Sequence, residues 1–140
     1  MGGLFKLRGE HAAIMGIVER LGYLVSHSSP APQLHVFAMR HQLSSALIAH
    51  LETEEWLLYP RLIASADPDI AATASAFSQE AKRLKAAYVE HCQTWNAHAI
   101  AADWAGYCAA SRGLIDMLNK RITSENRELF PLLERLDQAA

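Results

Sequence analysis

Two stretches of this chain carry side chains whose types and spacing could do metal chemistry. From His50 it reads HLETEEWLLYPRL, and from Arg121 it reads RITSENRELFPLL. At an offset of 71 residues Glu54 falls on Glu125, Leu58 on Leu129, Tyr59 on Phe130, Pro60 on Pro131 and Leu62 on Leu133. His50 and Glu54 are four residues apart, so on a helix they share one face. Two such helices facing each other aim their side chains at one point, which is how carboxylate-bridged metal sites are built in bundle cores. In the second copy Arg121 stands where the first has His50. A lone His/Glu pair at this spacing is common on exposed helix faces. The weight therefore rests on the repeat and on what lies level with it.

The elements that must position these groups are helical. Three breaks divide the chain: His27 to Pro32, Ser65 to Asp69, and Asn96 to Asp103. Asp67 before Pro68, and Asp103 before Trp104, read as N-caps. Between the breaks apolar residues recur at steps of three or four, as in Leu7, His11, Ile14, Val18 and Leu21. Helices are expected near 4–27, 33–65, 68–96 and 103–137. Short loops make neighbours antiparallel, so the expectation is an all-α, up-down-up-down four-helix bundle formed by 1–140 as one domain. Pro60 and Pro131 each remove a backbone donor and should kink helices two and four.

A constant rise per residue lets heights be compared across the loops. His11 stands about as far before the first loop as His50 stands after it. The level of Glu54 and Glu125 meets the third helix near 76–80, well away from His91. The level set is His11, His50, Glu54, Glu80, Arg121 and Glu125. His27, His35, His41 and His98 read as surface residues, and Trp56, Trp95 and Trp104 as core or boundary residues.

Composition sets the outer bounds. The 140 residues are 51% hydrophobic with a net charge of −2, which suits one buried core and leaves no basic cluster for nucleic acid. No apolar run is long enough to span a membrane. The start, MGGLFKLRGEH, lacks a secretory apolar core, and Lys6 stands where a myristoylation signal wants Ser or Thr. The expected compartment is the cytoplasm. There Cys92 and Cys108 read as free, buried thiols, although similar heights on neighbouring helices make a disulfide conceivable. No activated nucleophile, phosphate loop or dinucleotide fingerprint is present, so no particular reaction is indicated.

These residues resemble the hemerythrin-like (HHE cation-binding) family. RGEHAAI carries His11, HLETEEWLLYP carries His50 and Glu54, and RITSENRELFPLLE carries Glu125. The resemblance spans essentially the whole chain. It implies a four-helix bundle holding a non-haem di-iron centre, in proteins that bind O₂ or serve in iron, oxygen, NO or redox sensing and stress repair. There are two departures. Arg121 replaces the His of helix four, and aligning LRGEHAAI with FSQEAKRL puts Ala81 opposite His11, with Glu80 just before it. In the family those two histidines serve the same iron. The half-site of His11 and His50 with the bridging Glu54 and Glu125 is intact.

Carboxylates buried without a metal would repel one another at high cost. The guanidinium of Arg121 can replace the second metal's charge by pairing with Glu80 or Glu125. The site would then hold one non-haem iron or manganese ion, or none. Three readings follow: a non-enzymatic metal-binding domain sensing or binding O₂, NO or iron; a metal-free bundle acting as an interaction module with a protein partner or second copy; and an iron-dependent redox enzyme.

Overall fold

In the computed structural model the described residues, 2–139, are almost entirely helical, with no strand among them. Helix α1 spans Gly2–Leu24. Helix α2 (Gln33–Thr53) runs without a break in its helical dihedrals through a π-helical turn, Glu54–Leu58, into α3 (Tyr59–Ile63). Helix α4 covers Pro68–Thr94, α5 is the short Ala97–Ala102, and α6 covers Trp104–Ser124. A second π-helical turn, Glu125–Leu129, leads into α7 (Phe130–Ala139).

Both π turns have the same local cause. Pro60 and Pro131 have no N–H for the α-helical ladder, and their rings crowd the carbonyl one turn earlier. The chain widens by one residue ahead of each proline. Tyr59 N–H then bonds the carbonyl of Glu54, and Phe130 N–H bonds that of Glu125, the five-residue spacing of a π turn. The kinks expected at these prolines are thus π turns. Each opens on the repeat's glutamate.

Helix ends follow the capping chemistry read from the sequence. Asp67 Oδ1 accepts from Asp69 N–H at 2.9 Å, with Pro68 opening α4. Asp103 Oδ1 accepts from Gly106 N–H at 2.9 Å. Gly106 has no substitute here, because a Cβ would collide with the Asp103 carboxylate and the Trp95 ring. The third break differs from expectation. Asn96 caps α5 by accepting from Ala99 N–H, and Ile100 plugs the bundle end. The long helical units are therefore joined by a fifth, short helix rather than a loop.

Helix α1 packs on α2 and α6, α3 packs on α4, and the second π turn also touches α4. The core contains Leu7, Ile14, Leu43, Leu58, Leu118 and Leu129, and each such side chain contributes about 1.5–3 kcal/mol when buried. At one end Trp104 Nε1–H donates to the carbonyl of His27, and Trp95 and Trp104 lean on Tyr107. Trp56 is a correction to the sequence reading: it is 80% exposed, because it lies on the side of its helical unit opposite the buried Leu47, His50, Leu51 and Glu54. Cys92 and Cys108 are free thiols; Cys108 is buried as expected, whereas Cys92 is only half-buried. No helix among the described residues is long and apolar enough to cross a membrane.

Candidate metal centre

Among the described residues five polar side chains are buried, and four of them, His11, His50, Glu54 and Glu125, cluster at one height of the apolar core. Helix α1 supplies His11, α2 supplies His50, and the opening residues of the two π turns supply Glu54 and Glu125. His11 Nε2 lies 3.0 Å from His50 Nε2 and 2.7 Å from Glu125 Oε1. His50 Nε2 lies 3.2 Å from that same oxygen. These three ligand atoms form a group able to hold one metal ion. Glu54 Oε1 adjoins them, 3.5 Å from His50 Nε2.

The outer ring nitrogens are engaged elsewhere. His11 Nδ1 meets the side-chain amide oxygen of Asn126, Oδ1, at 2.9 Å. His50 Nδ1 meets Glu10 Oε1 at 2.8 Å, and Thr53 Oγ1–H steadies the other Glu10 oxygen at 2.9 Å. Both partners are acceptors, so in the neutral rings Nδ1 carries the proton and Nε2 presents a lone pair. Such partners are what fix the orientation of metal-ligating histidines. Phe130 stacks on the His11 ring at 4.7 Å.

The inner atoms are then two imidazole lone pairs and a carboxylate oxygen, crowded together without a proton between them. Glu54 is also fully buried, and neither of its oxygens has a hydrogen-bond partner among the described residues. An orphaned buried carboxyl is costly. A cation removes both problems. Bonds of about 2.0–2.2 Å to a common ion put neighbouring ligand atoms roughly 3.0–3.4 Å apart, close to the separations found. The residues present fit a metal.

The electrostatics of the two glutamates diverge. Burial, and next the negative charge of Glu125, push the Glu54 carboxyl up to about 10. Burial acts to raise Glu125 as well, but its close contacts with His11, His50 and Glu54, and then the charge of Arg121, win and hold it well below the usual carboxylate range. The pair therefore carries one negative charge, located on Glu125.

On the opposite side of Glu125 lies Arg121. Its Nε stands 2.6 Å from Glu125 Oε2. Its Nη2 donates to Tyr59 Oη at 2.6 Å and to the Phe77 carbonyl at 3.1 Å, and its charge lies over the Phe77 ring. Burial opposes the guanidinium charge, but Glu125 outweighs it, and the group's affinity for its proton is raised.

Of the residues named from sequence, His11, His50, Glu54 and Glu125 come together, and Arg121 adjoins them. Glu80 does not join them. Its side chain is 60% exposed and, among the described residues, reaches only Arg121 Nη1, at 3.5 Å. The inward position is Ala81, buried under the first π turn's helix. His91 stands apart beside Tyr107, where burial, and then Arg40, lower its proton affinity. Sequence reasoning missed Glu10, Thr53 and Asn126. Glu10 and Asn126 directly neighbour His11 and Glu125 in the chain, which was the one available signal.

An all-helical core opened by two histidines and two glutamates on facing helices defines a bundle-type cation-binding protein. The hemerythrin HHE cation binding domain family matches residues 3–133, and the chain belongs to that family. No curated protein and no solved structure matched.

Proposed function

We propose that this domain binds a single metal ion through His11, His50 and Glu125, with Glu54 as a fourth ligand, and that Arg121 stands in for a second ion. The facing pair of Nε2 lone pairs carries the reading: two ring nitrogens 3.0 Å apart, each with its other nitrogen already bonded. Two histidines and a carboxylate suit Fe(II) or Mn(II) and leave coordination positions open. When bound, such an ion would supply a site for a small ligand such as O₂ or NO. The protein's part is to orient the rings, keep their Nε2 atoms unprotonated and limit access. A void of about 10 Å³ beside His50 and Glu125, walled by Ile14, Leu47 and Leu118, has room for something the size of one water. We read the chain as one domain whose four long helical units run up-down-up-down, with α5 closing the third connection. Its free thiols suit a reducing, cytoplasmic compartment. Binding and sensing are favoured over catalysis, because the acid–base groups beside the ligands are held in structural hydrogen bonds, Glu10 to His50 and Tyr59 to Arg121.

Anaerobic calorimetric titration of metal-free protein with Fe(II) or Mn(II) tests this. One site is expected, abolished by His11→Ala or by His50→Ala in variants that keep their helical circular dichroism. Exposure of the iron-loaded protein to O₂ or NO should then change its visible spectrum. A second reading, a metal-free interaction module, is favoured by the way Arg121 already satisfies Glu125. An absence of binding in the titration would move the weight there.

A further inference from the structure

Behind Arg121, away from the histidines, a surface cavity of about 390 Å³ lies between α4 and α6. Its floor includes the Arg121 guanidinium. Its rim carries Arg83 and Lys120, both exposed, and its walls are Leu84, Ala87 and Met117. Three cations therefore face one carboxylate, the largely solvated Glu80. Arg121 Nε and Nη2 are engaged by Glu125, Tyr59 and Phe77, but among the described residues Nη1 has only Glu80, at the long distance of 3.5 Å. A permanently charged guanidinium at the bottom of an apolar-walled cavity, with two further cations at its mouth, is an uncommon lining to leave to water.

We propose that this cavity is a binding site for a small monocarboxylate with an apolar body. The carboxylate accepts from Arg121 Nη1 and displaces Glu80, while its apolar part lies against Leu84, Ala87 and Met117. Arg83 and Lys120 at the rim supply long-range attraction. Beside the donors Arg83, Lys120, Arg121 and Ser124, the cavity is lined by Leu84, Ala87 and Met117, which favours an anion with an apolar body over inorganic phosphate. With Nε and Nη2 taken, Nη1 can serve one oxygen of a carboxylate through a charge-assisted hydrogen bond. The ligand sits on Arg121, so this inference stands whether or not the histidines hold a metal.

The probe is hexanoate, with hexan-1-ol as the uncharged comparison and inorganic phosphate as the non-apolar anion. Binding is measured by calorimetry on the full chain, metal-free and metal-loaded. Hexanoate should saturate one site in both forms, with the alcohol and phosphate each weaker by about tenfold or more, the worth of a charge-assisted hydrogen bond or of the apolar walls. Arg83→Gln combined with Lys120→Gln alters only exposed side chains. It should weaken hexanoate several-fold at low salt and leave the melting temperature unchanged. Arg121→Gln should abolish binding if the variant folds. Equal affinity for hexanoate and hexanol, binding of phosphate as tight as hexanoate, indifference to the rim substitutions, or hexanoate binding confined to the metal-loaded form would each overturn the proposal.

Discussion

His11 and His50, from two different helices, bring their Nε2 atoms to 3.0 Å of one another while Asn126 and Glu10 hold the opposite ring nitrogens. Neither ring can rotate to relieve the contact without breaking its outer hydrogen bond. The arrangement is pre-organised for a shared positive charge.

The outer partners should matter for affinity more than for folding. Glu10→Ala and Asn126→Ala each remove an orienting acceptor near the surface. Each should weaken Fe(II) or Mn(II) binding by about 10–100-fold and barely move the melting temperature. A metal titration beside a thermal melt checks both halves of this. Wild-type affinity in both variants would mean that the rings are positioned by packing, with Phe130 the chief contributor.

Arg121→Ala leaves Glu125 and Tyr59 without their buried partner. Breaking a buried ion pair from one side typically costs about 3–5 kcal/mol, so the metal-free variant should melt well below wild type. A wild-type melting curve would show that Arg121 does not serve as the second charge.

The glutamate pair predicts an unusual pH profile for the metal-free protein. Glu54 is raised from 4.5 to about 10 in the fold. Its contribution is full below 4.5 and drains away as pH rises from there through about 10. Glu125 is lowered, so its contribution is present above 4.5 and is lost as pH falls below that value. Stability should peak mildly acid and decline toward alkaline pH. Glu54→Gln mimics the neutral acid, so it should flatten the decline and make the metal-free protein more stable at pH 8. Chemical denaturation at a series of pH values reads this directly, and an unchanged slope in the variant would refute it.

Metal uptake should deprotonate Glu54. At neutral pH the wild type should then release about one proton per ion bound, and Glu54→Gln should release none. Calorimetry in buffers of different ionisation enthalpy measures the difference.

Much of this was legible in the sequence because helices have a fixed rise. Counting from the loops placed His11 level with His50 and brought residues near 76–80 opposite Glu125. Rise fixes height but not direction around the axis, and that is why Glu80 was chosen although Ala81 turns inward. The prolines foretold a distortion, but not that it would be a π turn. Trp56 lies half a turn away from the buried Leu47 on a helical wheel, so its exposure was legible from spacing and the reading from residue type alone missed it. Asn126 sat in a polar run that looked wholly solvated, yet its side-chain amide oxygen reaches the ring of His11. Short-range spacing could not show α5 either, because its two caps, Asn96 and Asp103, read equally well as loop residues.

The central claim is that this family member retains one half of its metal site and has filled the other with Arg121. The most direct test is the metal content per chain, by mass spectrometry, of protein grown with iron and purified without chelator. The account predicts one ion per chain, lost in His50→Ala. Two ions per chain would contradict it by requiring ligands in the place assigned to Arg121, and none would leave His11 and His50 without the cation their geometry calls for.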